Sequence, residues 1–135
     1  MRHALLFPLL LIFSPMPALS QGADLLSNRA VTELAEEAMI ADLMLRSCEG
    51  VVGSEEGVQA VTEYADRLAR SAGYEPAEAA ALLSEPAAMA RLEAGAIARL
   101  VRMGARPDDL TSLCRVARGA AGRGGVLGTL LVTAR

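Results

Sequence analysis

The 135-residue sequence lacks several of the side chains on which catalysis most often depends. It has no tryptophan and no lysine, so that all 13 basic residues are arginine. The only histidine, His3, and both phenylalanines, Phe7 and Phe13, lie close to the N-terminus. If this N-terminal stretch is removed, the remaining chain has no imidazole and no amine side chain, and its only aromatic residues are Tyr64 and Tyr74.

These absences exclude several classes of site. Without histidine there is no Ser-His-Asp or Cys-His nucleophile and no histidine ligand for a metal ion. Without lysine there is no Schiff base and no phosphate-loop lysine. Two tyrosines offer almost no rings on which a nucleic-acid base could stack. We therefore expect no catalytic residue, no metal and no cofactor, and the only groups left that could act are carboxylates, arginines and two cysteines.

Residues 1–20 have the three-part layout of a signal peptide. Arg2 supplies the positive start, Ala4 to Phe13 form the apolar run, and Ala18 to Ser20 give the small-x-small pattern of a cleavage site. The run is shorter than the roughly 20 apolar residues of a membrane-spanning helix, which is the alternative interpretation. We predict cleavage near Ser20 and a single helical domain over residues 21–135, periplasmic or secreted.

Charge is distributed unevenly along the predicted mature chain. Removing Arg2 leaves 12 arginines against 16 acidic residues, a net charge of −4. Residues 21–66 carry a net charge of −8, and residues 67–135 carry +4. Such an acidic chain does not attract nucleic acid, and we expect no nucleic-acid partner.

Three arginines form a basic strip near the C-terminus: Arg115, Arg118 and Arg123. The interpretation that we favour is internal complementarity, in which the acidic helix over residues 28–48 packs beside the arginine-bearing helix over residues 109–121. The alternative is a surface for an anion or a partner protein. A third version is contact with acidic lipid, aided by the apolar tail over residues 126–132.

Cys48 and Cys114 are the two cysteines. An even number of cysteines in an exported chain favours a disulfide bond. Closing a loop of about 66 residues would stabilise the fold by about 4 kcal/mol in the chain-entropy model. A catalytic redox pair is the alternative, but such dithiols usually occur as C-x-x-C, so we predict a structural disulfide.

Periodicity and composition predict an all-α fold, a small bundle of four to five short helices. Alanine, leucine, glutamate and arginine are strong helix formers, and no stretch alternates in the way that strands do, so we expect no sheet. Ser54, Ser84 and Asp109 are the predicted N-caps. The predicted helices cover residues 28–48, 55–72, 76–83, 85–103 and 109–121, and residues 126–132 form a final turn or helix.

Two residues at or within these helices call for an explanation. Gly95 lies in the middle of the fourth helix, where glycine is unfavourable by about 1 kcal/mol relative to alanine, and a close helix crossing would explain it. Tyr74 follows Gly73 at a helix end. We interpret Tyr74 as the residue that packs back after a glycine cap rather than as a general acid.

Four carboxylates on the first long helix are candidates for chemistry: Glu33, Glu36, Glu37 and Asp42. Paired carboxylates can bind a divalent cation or act as acid and base. Di-metal bundles, however, pair glutamate with Glu-x-x-His, and no histidine remains, so we interpret these residues as a solvated acidic face. The glycine-rich stretch over residues 122–128 departs from G-x-G-x-x-G and lacks a following lysine, and we interpret it as a turn.

The order and spacing of several short motifs resemble a family of small exported bacterial proteins classed as a domain of unknown function. The resemblance covers about residues 25–135. It implies a compact helical exported domain with a paired cysteine, and it carries over no catalytic residue. Gly125 stands where the resemblance leads us to expect a small polar helix cap. The motif residues are Ile40, Ala41, Asp42, Arg46 and Cys48; Ala69, Gly73, Tyr74 and Glu78; Gly104 and Pro107 to Asp109; Leu113 and Cys114; and Arg123, Gly124, Leu127, Gly128, Leu130 and Leu131.

Some relatives in that family carry a label that links them to an iron–sulfur component of the respiratory NADH dehydrogenase. A [2Fe–2S] cluster needs four cysteine ligands, and this chain has two, so the resemblance can imply an accessory association with that complex only. The function that we predict is a non-enzymatic interaction or accessory protein, which binds an unidentified protein partner or a second copy of itself through a groove between helices or a homodimer face. A carboxylate-dependent enzyme and a thiol-redox module are the alternatives.

Overall fold

The computed structural model describes residues 21–135, so the predicted signal peptide lies outside the described residues. This part of the chain is mostly helical, which confirms the predicted all-α fold. The five longer helices begin and end within one residue of the predicted bounds, and the short helices α1 and α7 accompany them. The helices are α1 (Gln21–Leu25), α2 (Arg29–Ser47), α3 (Glu55–Ser71), α4 (Pro76–Leu83), α5 (Pro86–Arg102), α6 (Leu110–Ala120) and α7 (Gly125–Leu130).

The prediction that there is no sheet is wrong, because two short strands pair in an antiparallel ribbon. These are β1 (Val51–Gly53) and β2 (Leu131–Thr133), with Val52 opposite Val132. Three residues are too few to show an alternating pattern, so the sequence carries no strand signal here. The buried side chains of Val51 and Leu131 hold the ribbon to the core and tie the C-terminus to the α2–α3 connection.

Side-chain caps begin three of the helices. Asn28 caps α2, and Ser54 and Asp109 cap α3 and α6 as predicted, each accepting a hydrogen bond from a backbone N–H of the first turn. The prediction that Ser84 is the N-cap of α5 is wrong, because Pro86 occupies the first helical position and Glu85 therefore occupies the cap position. The Ser84 hydroxyl instead donates to the carbonyl of Ala80, at 2.8 Å, and ends α4.

The end of α3 confirms the predicted role of Tyr74. Gly73 has a φ of 90°, and the N–H of Tyr74 reaches back to the carbonyl of Ala69 at 3.0 Å, which is the Schellman arrangement. The Tyr74 hydroxyl donates to the Asp24 carboxylate at 3.1 Å. This bond raises the pKa of the Tyr74 hydroxyl and fastens α1 to the junction of α3 and α4.

The main core lies between α2, α5, α6, α7 and the ribbon, and contains no aromatic residue among those described. Isoleucine, leucine, methionine, valine and alanine fill it together with a disulfide between Cys48 and Cys114. The two Cα atoms are 5.3 Å apart, and both residues are buried, so the predicted disulfide is confirmed. It joins the end of α2 to the middle of α6. No helix of the described chain is both long and apolar enough to cross a membrane.

Candidate functional site

The crossing of α2 and α5 holds one of the four candidate carboxylates. Gly95 of α5 faces Glu36 of α2, and a Cβ atom on Gly95 would overlap the Glu36 carboxyl group. The missing side chain therefore makes room for Glu36 between the two helices. This confirms that a close helix crossing accounts for the glycine in the middle of α5.

Glu36 is buried at this crossing, so the interpretation of a fully solvated acidic face is wrong at this residue. Only 9% of Glu36 is exposed, and the Nε and Nη2 atoms of Arg99 donate to its Oε2 atom at 3.3 and 3.1 Å. The Nη1 atom of Arg99 also lies 3.6 Å from the Oε1 atom of Glu37. A buried carboxylate needs a partner of opposite charge, and Arg99 on the neighbouring helix supplies it.

Glu37 has a second role, at the start of α7. Its Oε2 atom accepts a hydrogen bond of 3.1 Å from the N–H of Leu127. The cap residue of α7 is Gly124, which has no side chain with which to satisfy the first turn of the helix. The sequence leads us to expect the cap one residue later, at Gly125, which is instead the first residue of the helix. A carboxylate from α2 thus takes the place of the polar cap that Gly124 cannot supply.

The turn predicted over residues 122–128 is confirmed over residues 122–124 and wrong beyond them, because Gly125 begins α7. Gly122, Gly124 and Gly125 all have positive φ, which side-chain-bearing residues rarely adopt. The N–H of Gly122 donates to the carbonyl of Gly128 at 3.0 Å and closes the turn.

The remaining carboxylates of α2 bind arginines of the same helix. Glu33 pairs with Arg29 at 2.7 Å, and Asp42 pairs with Arg46 at 2.6 Å. The hydrogen bond from Arg29 lowers the pKa of Glu33. Over residues 21–135, no group of three histidine, cysteine or acidic side chains is arranged to hold a metal ion.

The basic strip lies on an exposed surface. Arg115 and Arg118 project from α6, and Arg123 lies in the turn that follows. The disulfide joins α2 to α6, the helix that carries two of these arginines. The arginine that pairs with Glu36 and Glu37 of α2, however, is Arg99, which lies on α5. The role of the strip as a surface for an anion or a partner stays a prediction.

An apolar groove of about 310 Å³ runs along the face that α2, α3 and α4 share, and Leu25 of α1 also lines it. Its volume lies at the lower end of the range for ligand sites, and its walls are alanine, valine and leucine. The lining residues are Leu25, Val31, Leu34, Ala35 and Ala38; Val61, Thr62, Ala65, Asp66, Leu68 and Ala69; and Pro76, Ala79, Ala80 and Leu83.

Asp66 is the one charged residue among the described residues that line this groove. It is half-buried, and none of the ion pairs found over residues 21–135 includes it. Arg70 lies one helical turn further along α3, but it too is absent from those ion pairs. The groove therefore combines apolar walls with one carboxylate that forms no ion pair within the described chain.

The sequence predicts the apolar stripe of α3 but not the groove. A stripe such as Val61, Ala65 and Leu68 predicts burial against another element. The helix α4 covers only part of this stripe of α3, because α4 is about 12 Å long and α3 is about 26 Å long. The difference in predicted helix length is the signal that could have revealed the groove.

Comparison with known proteins gives a family and no activity. The profile of the "Family of unknown function (DUF5333)" matches residues 24–132. No curated protein and no solved structure matches the chain. The matched residues include both cysteines, the Glu36–Arg99 crossing and every residue that lines the groove. The chain belongs to the family of unknown function DUF5333.

Proposed function

We propose that this protein is a non-enzymatic binding module that holds an apolar segment of a partner protein in the groove between α2, α3 and α4. The observation that carries the proposal is the groove itself, an open, concave and almost wholly apolar surface of about 310 Å³. Exposed apolar surface in water is unfavourable by about 25 cal/mol per Å², so covering it favours association.

The state of the other reactive groups supports a binding role over an enzymatic one. Glu36 and Glu37 already engage Arg99 and the Leu127 N–H, so both carboxylates have partners within the fold. The disulfide is buried, and thiol exchange requires access to a sulfur atom. We also propose that the protein acts after export, because a disulfide persists in an oxidising compartment and residues 1–20 have the pattern of a signal peptide.

The proposal is tested by blocking the groove. Ala38 is an exposed lining residue of α2, and Ala94 is an equally exposed residue of α5 outside the groove, so Ala38→Trp and Ala94→Trp form a matched pair. The probe is a synthetic amphipathic peptide of about 14 residues, roughly four helical turns, with leucines spaced three and four residues apart. Isothermal titration measures its Kd.

We expect Ala38→Trp to weaken binding of the peptide at least tenfold, because the indole occupies the space of the ligand. Ala94→Trp should leave the Kd unchanged. Urea unfolding of both variants checks that neither loses its fold. Equal affinity of the two variants, or no binding to the unmodified chain, would contradict the proposal.

A further inference from the structure

We propose that the groove selects an amphipathic helix with a basic side chain beside its apolar stripe, and that Asp66 recognises this charge. The inference rests on the proposed function and adds the chemistry of the partner. It uses the one carboxylate among the described lining residues, which the fold itself does not neutralise.

The walls of the groove suit a helix. Six of the lining residues are alanines, three of which are Ala35, Ala65 and Ala80. Small side chains let a helix backbone approach closely, and helices that dock in grooves use anchors spaced three and four residues apart. Along α3 the lining runs from Val61 to Ala69, which is about 12 Å or two helical turns.

The chain already places one of its own helices at the end of this groove. The helix α1 packs on α4, and its Leu25 is fully buried against Val31, Ala69, Ala79 and Leu82. A leucine projecting from a short helix is thus the kind of anchor that this surface accepts. The open part of the groove continues from that contact along α2 and α3.

The charges around the groove favour a basic partner. The three helices that form the groove, α2, α3 and α4, hold nine acidic residues and four arginines, a net charge of −5. No arginine of the described chain lines the groove, and Asp66 does. A neutral helix would remove water from the Asp66 carboxylate without giving it a new partner. A lysine or arginine on the helix would instead form an ion pair with it.

The test uses three peptides with the same leucine stripe, which differ only in one residue beside the stripe: lysine, glutamine or glutamate. We expect the full chain to bind the lysine peptide about two- to fivefold more tightly than the glutamine peptide, the upper part of the range for a partly exposed ion pair. The preference should shrink as salt is raised. Asp66→Asn should abolish it, and Asp66→Lys should shift it to the glutamate peptide.

Glu93→Gln is the matched control, since it makes the same change in net charge at an exposed site on α5. It should preserve the preference for lysine. Equal binding of all three peptides to the unmodified chain, with Ala38→Trp still blocking them, would overturn the role of Asp66 and leave the proposed function standing. If Ala38→Trp has no effect on any peptide, the proposed function itself fails.

The same variants and peptides distinguish two other possible occupants of the groove. A concentration-dependent dimer that Ala38→Trp dissociates, measured by sedimentation, would assign the groove to a second copy and overturn the inference. A chain that retains residues 1–20 and binds peptide only after their removal would assign the groove to that segment and also overturn it. A monomer that binds the lysine peptide most tightly supports the inference.

Discussion

Glu36 is the residue at which packing and charge depend most closely on each other. It fits between α2 and α5 only because Gly95 lacks a side chain, and it is held there by Arg99. We expect Glu36→Gln to lower the free energy of unfolding by about 2 kcal/mol, because Arg99 loses its closest charged partner in a half-buried site. Urea unfolding followed by circular dichroism measures this change.

Glu33→Gln is the control for that experiment. Glu33 pairs with Arg29 one turn away on the outer surface of α2, where ion pairs contribute little. We expect no measurable change in the urea midpoint. If Glu36→Gln and Glu33→Gln unfold at the same midpoint, the buried pair does not stabilise the crossing.

Asp109 links the stability of α6 to pH. The hydrogen bond from Arg106, followed by that from the Ser112 N–H, lowers the pKa of Asp109 below its ordinary value of 3.8. A carboxylate whose pKa is lower in the folded state stabilises the fold above its unfolded pKa, and this contribution is lost as the pH falls through the folded pKa.

Asp109→Asn isolates that contribution, because asparagine is an equally good helix cap but cannot be charged. We expect the wild-type chain to be more stable than Asp109→Asn at pH 7, the difference to begin to shrink as the pH falls below 3.8, and the two to become equally stable only below the folded pKa of Asp109. The measurement is urea unfolding at a series of pH values. A difference that is constant from pH 7 into acid would show that the charge of Asp109 has no part in it.

Local signals explain why most helix ends are predictable. Ser54 accepts a hydrogen bond from the Gly57 N–H, Gly73 adopts the positive φ that ends α3, and the ring of Pro76 fixes φ at the start of α4. Each signal is local, so the sequence alone predicts α3 and α4 closely. The assignment of Ser84 is wrong because two local signals compete there, and the proline at the first helical position decides the start. The ribbon of β1 and β2 joins distant segments and has no local signal.

A pair of helical glycines tests how the elements pack. A Cβ atom on Gly57 of α3 would overlap the backbone carbonyl of Thr129 in α7, whereas one on Gly119 of α6 would meet no atom within 4 Å. We expect Gly57→Ala to destabilise the fold by about 1–3 kcal/mol, because the backbone of α7 must move. Gly119→Ala should stabilise it by about 0.5–1 kcal/mol through helix propensity.

Thermal and urea unfolding of the two variants give the sign of each change in the free energy of unfolding directly. The two alanines add the same methyl group within a helix, so propensity alone predicts the same sign for both. A stabilising Gly57→Ala would therefore show that α3 and α7 do not approach closely at this glycine.

At the scale of the whole molecule, the disulfide takes the place of a large aromatic core. It links residues that are 66 positions apart, and the chain-entropy model gives it about 4 kcal/mol. We expect the double variant Cys48→Ser and Cys114→Ser to lose about that much free energy of unfolding. Urea unfolding with and without a reductant measures the loss, and a change below about 1 kcal/mol would contradict the account.

The overall fold is more predictable than the candidate site. Composition excludes histidine- and lysine-dependent chemistry in residues 21–135, helical periodicity predicts the longer helices, and the even number of cysteines predicts the disulfide. The groove depends on how far α4 extends along α3, and the burial of Glu36 depends on a glycine nearly 60 residues away in α5. Both are properties of the packed molecule, which single-helix patterns do not contain.

The most direct measurement of the central claim is an amide chemical-shift map of the chain, recorded while the leucine-striped lysine peptide is added. The account predicts that the shifts concentrate on residues 31–38, 61–69 and 76–83, which line the groove. Saturable binding with shifts centred instead on Arg115, Arg118 and Arg123, or an unchanged spectrum at saturating peptide, would contradict it.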